Sequence, residues 1–420
     1  MAHTPRWRLV TLIALSAILY FFVNIQRSAV PGALFNQLQE AFDLTPSGVA
    51  ALGSGFTYIY AAAQLAVGFI IGKFGWVKAV RFGGFLFVAG AVLFPFSGNY
   101  PAAYACRILT GLGAGCLYLS IVQMTMEAFS EKFSMAIGVI LIAGFTGGVV
   151  ANAPLIAVEQ HIGWQNALKI VAIALAIVYT VWCAFSVGVT PSEKEASGKF
   201  GSLKDVIFKK GNWYICVFNW VNFGLFYVVQ TVIGKKYLED FANLTPSRAA
   251  LVFSVTGAIA AFSGVTQAYL SDLCGGRKAM FCRIATLVSF TVLAGQVTML
   301  ALGRGSWLCA ALFCLLAATA TMSALTIPLL RNINSGSNFG LAVGLMNFGN
   351  YLAVAVFGDL AGFLIGLYPA TVVNGAKVYG VSSYITLFAV LILFLLPAML
   401  CAWLISDKNK INDDTEGQKA

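Results

Sequence analysis

Long apolar runs dominate this 420-residue chain and leave few folds open to it. A helix needs about 20 consecutive apolar residues to cross the ~30 Å hydrocarbon core of a bilayer. Backbone polar groups in lipid must be satisfied within each segment, so such runs are predicted to be transmembrane helices. We predict twelve, at approximately 9–35, 47–71, 77–98, 101–128, 133–157, 164–189, 212–234, 246–271, 279–302, 306–330, 338–366 and 380–405.

The composition agrees with a chain whose solvent is largely lipid. Only 10% of its residues are charged, whereas an average globular protein has about 25%. A net charge of +10 would suggest nucleic acid as a partner of a soluble protein, but the basic residues here lie between apolar runs. We therefore expect no nucleic acid. Eight of the nine cysteines lie in or at the ends of apolar runs and the two histidines are isolated, so no disulfide framework, metal site or cofactor is predicted.

The distribution of basic residues predicts the orientation in the membrane. Of the 26 Lys and Arg residues, 18 fall on the side of the chain termini, and Arg27, Arg107 and Lys169 fall inside spans. Those on the opposite side are Lys235, Lys236, Arg248, Arg304 and Lys377. Lys235 and Lys236, at the end of span seven, are expected to lie at the membrane interface. Because cytoplasmic loops carry the excess of basic residues, we expect a multi-pass protein of the plasma (inner) membrane with both termini in the cytoplasm.

The longest polar segment divides the spans into two sets of six. We predict an N-terminal six-helix bundle at 1–189, a cytoplasmic linker at 190–211, a C-terminal six-helix bundle at 212–405 and a cytoplasmic tail at 406–420. Residues 203–208 are expected to lie along the membrane interface.

The two halves share residues at a nearly constant offset. Leu44-Thr45-Pro46-Ser47 recurs 200 residues later as Leu244-Thr245-Pro246-Ser247, in each case just before the second helix of its half. At the same offset Gly75 and Lys78 recur as Gly275 and Lys278, and at an offset of 206 Phe133, Ala136 and Gly138 recur as Phe339, Ala342 and Gly344. We infer a duplicated six-helix unit.

The loop after the second span resembles the G-x-x-x-D-R-x-G-R-x-x motif of the major facilitator superfamily of transporters. Residues 68–78 keep the glycines but place Gly72 at the acidic position, whereas the second copy has Asp272 and lacks the leading glycine. The resemblance implies an all-α membrane protein of twelve transmembrane helices in two pseudo-symmetric six-helix bundles, with a solute site between them. It also implies a conformational role for Gly72, Lys73, Gly75, Lys78, Asp272, Gly275, Arg277 and Lys278.

Spans four and five carry the same resemblance. Residues 107–115 read RILTGLGAG, similar to the family's R-x-x-x-G-x-G signature. Because these glycines lie within an apolar run, they favour close helix packing over a dinucleotide-binding loop. Arg107 is interpreted as structural or conformational rather than as a ligand contact. Span five is similar to the family's glycine–proline motif, which implies a conformational role for Gly144, Gly148 and Pro154.

Arg27 is the most unusual residue inside a span. An ionisable residue there costs at least ~2.5–3.5 kcal/mol on insertion scales, so it is expected to face a cavity or a partner. No charged residue lies near Arg27 in the sequence, and we predict that it contacts the substrate. The alternative is that it reaches the outer interface or helix-end carbonyls. The other predicted substrate-binding residues are Asn24, Gln26, Tyr58, Tyr60, Gln64, Asn219, Asn222, Tyr227, Gln230, Asn347, Asn350 and Tyr351.

The charge balance of this set favours an anionic ligand. We find no carboxylate at mid-membrane depth, since Glu127 is at a helix end and Asp359 is in the outer part of span eleven. A lone guanidinium can hold a carboxylate or phosphate through two hydrogen bonds. Residues 22–31, FVNIQRSAVP, resemble the first helix of organic-anion symporters and of the related phagosomal amino-acid and lysosomal dipeptide transporters. Monocarboxylates, sugar acids, amino acids and small peptides remain open.

We therefore predict a secondary transporter, not an enzyme, that moves a small organic anion by alternating access. Its expected partners are the solute, the lipid bilayer and a co-transported proton or ion, and we expect a monomer. No G-x-x-x-x-G-K-[ST] loop occurs, so gradients rather than ATP would drive symport, exchange or facilitated diffusion.

Three alternative functions remain. One is a zwitterionic amino-acid or dipeptide transporter of the same fold. Another is a membrane-embedded enzyme, for which no catalytic constellation is visible. The third is a transporter-like nutrient sensor, for which a large cytoplasmic domain is expected, whereas both predicted tails are short.

Overall fold

The computed structural model is almost wholly helical over the residues it describes, which are 5–129, 133–189, 203–334, 337–373 and 376–407. The helices of the first half are α1 (Arg6–Ser28), α2 (Phe35–Ala41), α3 (Pro46–Phe74), α4 (Trp76–Leu93), α5 (Tyr100–Ala128), α6 (Phe133–Val150), α7 (Ala153–Ile162) and α8 (Trp164–Phe185). A π-helical turn, Ala29–Ala33, follows α1, and a 3-10 turn, Phe94–Phe96, follows α4.

The second half repeats this arrangement. Its helices are α9 (Leu203–Phe208), α10 (Lys210–Val228), α11 (Gly234–Asp240), α12 (Pro246–Leu273), α13 (Lys278–Ala301), α14 (Trp307–Ala317), α15 (Ser323–Ile333), α16 (Ser337–Gly366) and α17 (Val381–Leu404). A second π-helical turn, Val229–Ile233, joins α10 to α11. Between α16 and α17, strands β1 (Thr371–Val373) and β2 (Ala376–Val378) pair antiparallel, with Val372 opposite Lys377.

The predicted fold class is confirmed. Within the described ranges, ten segments are long and apolar enough to cross a membrane. The other two predicted spans correspond to α3 and to the consecutive helices α14 and α15. The protein is thus an all-α membrane protein of twelve crossings in two sets of six. We call the face on which α1 begins and α17 ends the terminal face, and the opposite one the distal face.

Three spans differ from their predicted form. Predicted span 133–157 is broken between α6 and α7, and it continues to Ile162. Pro154 lies in the first turn of α7, where its missing N–H needs no helical partner. Span ten is likewise broken, between α14 and α15. Span seven runs on through α11 to Asp240 instead of ending near 234.

Local geometry at matched positions supports the inferred duplication. Thr45 caps α3 by accepting a hydrogen bond from the backbone N–H of Gly48 at 3.2 Å, and Thr245 caps α12 by accepting one from Arg248 at 3.4 Å. In both helices a proline occupies the first turn. The two π-helical turns also lie 200 residues apart and pack against each other at the seam between the halves.

The domain limits stay a prediction. Residues 190–202 of the predicted linker and 408–420 of the predicted tail lie outside the described residues. The part of the linker at 203–208, which was expected along the interface, forms the short helix α9.

The glycines of span four allow close packing of α5. A Cβ added to Gly113 would lie 2.3 Å from the backbone oxygen of Gly83 on α4, and one added to Gly111 would lie 2.3 Å from that of Phe56 on α3. Such distances leave no room for a side chain. The interpretation of this run as a helix-packing motif therefore agrees with the structure.

Candidate functional site

Arg27 lies in the last turn of α1, at the seam between the two halves. Its side chain is 3% exposed. One guanidinium nitrogen donates to Asn24 on the same helix, and another donates to the hydroxyl of Tyr351 on α16 at 3.3 Å. The guanidinium carbon lies 4.9 Å from the ring centroid of Tyr227 on α10 and 5.6 Å from that of Tyr351. The structure thus brings together predicted site residues from three helices and both halves.

Three polar atoms near this cluster are buried and have no hydrogen-bond partner. They are Arg27 Nε, the hydroxyl of Tyr60 and Gln64 Nε2. The ring of Tyr60 packs on that of Tyr351 with 4.5 Å between centroids, and Gln64 follows one turn later on α3. An unsatisfied buried polar group costs about 1–3 kcal/mol. Three such groups in one region are more typical of a binding site than of a packed core.

The charge of Arg27 is not neutralised by an acidic side chain in the part of the chain that the structure describes. The ion pairs there are Lys235 with Glu239, Lys236 with Asp240, and Lys377 with Asp43. The partners of Arg27 are an amide, a hydroxyl and aromatic rings. A buried charge with only neutral partners is unfavourable, and an anion would relieve this cost.

A cavity adjoins Arg27 and is walled by both halves. Its described lining residues are Arg27, Pro31, Gly53, Ser54, Thr57, Thr231, Val232, Val354 and Gly358. They come from α1, α3, α16 and the two π-helical turns. Small and apolar groups therefore face the guanidinium across a space at the seam between the halves.

Most predicted amides of the second half are satisfied by other parts of the protein. Asn219 donates to Asn350 at 2.8 Å. Asn222 donates to the carbonyl of Thr319 at 2.7 Å and accepts from Ser289 at 2.9 Å. These bonds join α10 to its neighbours inside the second half. The structure does not bring these amides to Arg27.

Three more predicted residues also lie apart from the guanidinium. Gln230 bonds to the carbonyl of Phe253 and to Thr256 on α12. Tyr58 donates to Asp359 on α16 at 3.0 Å, and Asn347 is half-buried on α16. Gln26 is buried beside Arg27 on α1.

Arg107 joins three segments of the first half. Its guanidinium donates to the backbone oxygens of Leu52, Gln26 and Val30 at 2.9, 3.2 and 3.0 Å. It also lies over the ring of Phe56, 4.7 Å from the centroid. These contacts fit the interpretation of Arg107 as structural or conformational.

The predicted conformational residues of the loops lie at the terminal face. Gly75 and Gly275 both have positive φ, 80° and 77°, in a region that favours glycine. Among the residues that the structure describes, the second-copy residues Asp272, Arg277 and Lys278 form no ion pair. The side chain of Asp272 is exposed. The first-copy positions Gly72, Lys73 and Lys78 surround the junction of α3 and α4.

In span five, the predicted residues pack α6 on α1. A Cβ on Gly144 would lie 2.2 Å from the ring of Tyr20, and one on Gly148 would lie 3.4 Å from Ser28 Oγ. Pro154 lies in the first turn of the next helix, α7. The small residues thus form a close contact beside the turn that carries Arg27.

The expectation that Lys235 and Lys236 are interfacial is wrong. Their side chains are buried, and each pairs with an acid one turn later, Lys235 with Glu239 at 2.7 Å and Lys236 with Asp240 at 2.6 Å. The spacing of four residues is a sequence signal for such pairs. It indicates an extension of span seven rather than its end.

Sequence reasoning also missed aromatic neighbours of the cluster. Tyr20, seven residues before Arg27 on α1, packs on Tyr118 with 5.4 Å between ring centroids, and Phe223 packs on Tyr227 at 4.3 Å. Helical spacing places Tyr20 on the face of Asn24 and Arg27, and this signal was available.

Side-chain contacts join the two halves at the distal face. Hydrogen bonds connect Asn36 with Glu239, Gln39 with Tyr379, and Gln160 with Ser247, at 2.8, 2.6 and 2.9 Å. The hairpin of β1 and β2 adds the ion pair of Lys377 with Asp43 at 3.6 Å. The halves are therefore held together on the side of the site that faces away from the chain ends.

Comparison with known proteins identifies the family. The family model described as Major Facilitator Superfamily matches residues 16–292. The chain belongs to this superfamily. A solved structure of a similar major facilitator, a bacterial homolog of the human lysosomal transporter Spinster, has a TM-score of 0.72 and 14% identity, and the match covers 96% of this chain and 97% of that one. At this identity the likeness concerns the fold.

Relatives of this major facilitator by sequence include two bacterial proteins. The uncharacterized MFS-type transporter YcxA of Bacillus subtilis is 25% identical over 271 residues, 61% of this chain and 64% of that protein. The oxalate:formate antiporter of Oxalobacter formigenes is 30% identical over 135 residues, 31% of this chain and 30% of that protein. Both matches span less than two thirds of the relative's length. The chain is thus a major facilitator by family, and these similarities do not fix a solute.

Proposed function

We propose that this major facilitator transports a small solute that carries a carboxylate, and that Arg27 binds the carboxylate. The observation that carries the proposal is a guanidinium that is 3% exposed, has only neutral partners within the described residues and leaves Nε without a hydrogen bond. Because desolvating a charge is costly unless it is paired, an anion at this position stabilises the site.

The cavity favours one anionic group with a single negative charge. Arg27 is the only ionisable residue among the described residues that line it. A planar guanidinium matches a carboxylate geometrically and can hold it with two hydrogen bonds. A phosphate or a dicarboxylate would bring a second negative charge, for which this wall offers no second cation. By charge, a monocarboxylate is therefore the best match.

The rest of the solute is expected to be uncharged. The unpartnered groups near Arg27 are the hydroxyl of Tyr60 and the amide of Gln64, which are both neutral. The rings of Tyr227 and Tyr351 give the site apolar walls. A zwitterionic amino acid or dipeptide, the second candidate, would also need a partner for its ammonium group, and the described cavity wall includes no carboxylate.

One relative supports the carboxylate assignment. The name of the Oxalobacter formigenes relative states that it exchanges oxalate and formate, and both are carboxylates. The similarity covers about a third of this chain, so it adds weight to the class of solute rather than to one compound.

The proposed mechanism is alternating access driven by a solute or ion gradient. The seam that holds Arg27 lies between two similar halves joined at the distal face, as expected for a carrier that is closed on that side. From the loop charges we propose that both termini are cytoplasmic and that the plasma membrane is the host. We further propose a monomer, since each chain contains both halves of the site.

Counterflow in proteoliposomes tests this function. Purified protein is reconstituted with unlabelled formate, oxalate, lactate, alanine or dialanine inside, and uptake of the same labelled compound is measured. We expect exchange of at least one monocarboxylate without chemical change. We expect Arg27→Ala to abolish it and Arg27→Lys to lower uptake by about 10-fold or more, because hydrogen bonds to charged groups contribute ~1.5–3 kcal/mol.

The matched control is Arg304→Ala, which removes an exposed arginine from the loop between α13 and α14. It should exchange the solute as the wild type does. Unimpaired exchange by a folded Arg27→Ala protein would remove Arg27 from the site. Exchange of alanine or dialanine but of no monocarboxylate would favour the second candidate, and formation of a product would indicate an enzyme.

A further inference from the structure

A second polar cluster lies on the seam between α3 and α16, beside the Arg27 cavity. Asp359 on α16 accepts hydrogen bonds from Ser54 Oγ and from the hydroxyl of Tyr58, the latter at 3.0 Å. Both donors belong to α3 in the first half, whereas Asp359 belongs to the second. Each carboxylate oxygen accepts one of these bonds, so the ionised carboxylate joins the two halves.

Ser54 connects this carboxylate to the cavity. The Ser54 side chain is buried and lines the cavity together with Arg27 and Gly358, and Gly358 directly precedes Asp359. One hydroxyl thus contacts both the acid and the proposed solute site. A change in the hydrogen bonding of Asp359 alters the wall that the solute touches.

Asp359 differs from the other acids near the seam because its partners are neutral. Among the described residues, Glu239 and Asp240 each form an ion pair with a lysine, whereas Asp359 forms no ion pair. It is half-buried. A carboxylate held by hydroxyls alone can take up a proton without leaving a buried cation unpaired.

The titratable groups that face Asp359 are phenols and one guanidinium. Tyr58 is bonded to it from α3, and Tyr100, at the start of α5, interacts with it electrostatically. Tyr104 lies next to Tyr100, with 5.8 Å between ring centroids. Arg27 of α1 borders the cavity that Ser54 shares.

The other helices packed on this part of α16 contribute uncharged groups. Gly224 of α10 and Phe394 of α17 both contact Phe357, two residues before Asp359. The phenols therefore lie on one side, and they lead from the carboxylate toward the distal face, where α5 begins.

We propose that Asp359 binds the proton that is transported together with the carboxylate, an inference that rests on the function proposed above. The proton adds to one carboxylate oxygen of Asp359, and no covalent bond of the protein is broken. One positive charge taken up here balances the one negative charge of a monocarboxylate at Arg27. The protonated oxygen becomes a donor, so the hydroxyl of α3 bonded to it changes from donor to acceptor. The charge-assisted hydrogen bond between the halves is replaced by a weaker neutral one.

Proton binding can be measured without any solute. Infrared difference spectra of the purified protein in lipid are recorded between about pH 5 and about pH 9, a range over which exposed acids stay ionised. We expect the carbonyl band of a protonated carboxyl in the wild type and its loss in Asp359→Asn. The matched control Glu40→Gln, which changes an exposed acid on α2, should keep the band. A band that is absent from the wild type, or that persists in Asp359→Asn, overturns the proposal.

Tyr58→Phe provides a second variant that keeps the carboxyl group. We expect the frequency of its carbonyl band to differ from that of the wild type, because the carboxyl group loses a hydrogen-bond partner. If Asp359→Asn does not fold, this comparison decides the matter, and a band unaffected in Tyr58→Phe would assign the protonated group elsewhere.

Transport measurements distinguish a failure of the proton-binding proposal from a failure of the proposed transport function. The quantity measured is the ratio of pH-driven accumulation to counterflow for the monocarboxylate that the wild type exchanges. We expect Asp359→Asn to lower this ratio by about 10-fold or more, a typical size for a coupling effect, and Glu40→Gln to leave it unchanged. If the wild type exchanges no carboxylate, the proposed function fails while the infrared spectra still decide whether Asp359 binds a proton. If it does exchange one and Asp359→Asn keeps the wild-type ratio, only the coupling proposal fails.

Discussion

The side-chain amide of Asn36 in the first half donates to Glu239 in the second half, with 2.8 Å between Nδ2 and Oε2. Glu239 is held in place by Lys235 one turn earlier on α11, at 2.7 Å. The carboxylate is therefore oriented within its own half before it meets Asn36. Because Glu239 is already oriented, only the Asn36 side chain of α2 loses conformational freedom when the contact forms. This lowers the entropy cost of closing the distal face.

Asn36→Ala is expected to loosen the distal face. A hydrogen bond to a charged group contributes ~1.5–3 kcal/mol, so we expect the amides of α2 to exchange hydrogen about 10-fold faster. Hydrogen–deuterium exchange of the purified protein checks this. Asn166→Ala, which removes an exposed amide from α8, is the matched control. Equal exchange of α2 in both variants would contradict a role for the Asn36–Glu239 contact in closure.

The fold was largely predictable because a lipid bilayer requires every span to be an α-helix of about 20 apolar residues. The predicted start at 47 and the observed start at Pro46 agree, since Thr45 supplies both a cap and a sequence signal. The end of span seven was missed because Lys235 and Lys236 read as interfacial charges. Their pairing with acids four residues later is a local pattern, but whether such a helix is buried depends on what packs over it.

The candidate site was predictable in its charge and less so in its polar neighbours. A lone charge in an apolar run is costly, which draws attention to Arg27, and the structure buries this residue at the seam between the halves. Its contact with a solute stays a prediction. The sequence does not distinguish the mid-span amides that contact Arg27 from those that bond to other helices. Asn24 contacts Arg27, whereas Asn222 bonds to other helices of its half. Both are mid-span amides, and only the tertiary arrangement decides which ones find protein partners.

Lys236→Met is expected to destabilise the second half. The substitution leaves Asp240 buried with 1% of its side chain exposed and without its cation, a change that costs about 3–5 kcal/mol. Thermal unfolding in detergent should show a clear fall in Tm. The double variant Lys236→Met with Asp240→Asn should recover part of it, because the uncompensated charge is gone.

Lys377→Met serves as the control for this prediction. Lys377 pairs with Asp43 at 3.6 Å, and their side chains are 40% and 98% exposed. Exposed pairs contribute little, so Tm should stay at the wild-type value. A fall as large as that of Lys236→Met would show that burial of the pair is not the cause.

Gly113→Ala is expected to disrupt the packing of α4 on α5. The added Cβ would lie 2.3 Å from the backbone oxygen of Gly83, and neither backbone can yield without separating the helices. We expect a large loss of folded protein by size-exclusion chromatography. Gly344→Ala on α16, where a Cβ meets nothing within 4 Å, should be neutral or stabilising by up to about 1 kcal/mol, the helix propensity gain of alanine. Similar yields of the two variants would contradict the packing argument.

Tyr351→Phe and Asn222→Ala should separate a solute-site residue from a structural one. Tyr351→Phe keeps the ring beside Arg27 but removes the hydroxyl that accepts its hydrogen bond at 3.3 Å, so we expect solute affinity to change by about 3–10-fold, equivalent to the ~1 kcal/mol of a typical hydrogen bond. Asn222→Ala leaves Ser289 and the carbonyl of Thr319 without their partner, so it should lower Tm and leave affinity near the wild-type value. Isothermal titration with the exchanged carboxylate and thermal unfolding measure both quantities for each variant. A loss of affinity in Asn222→Ala that matches or exceeds that in Tyr351→Phe would place the solute deeper in the second half, against α10 and α13.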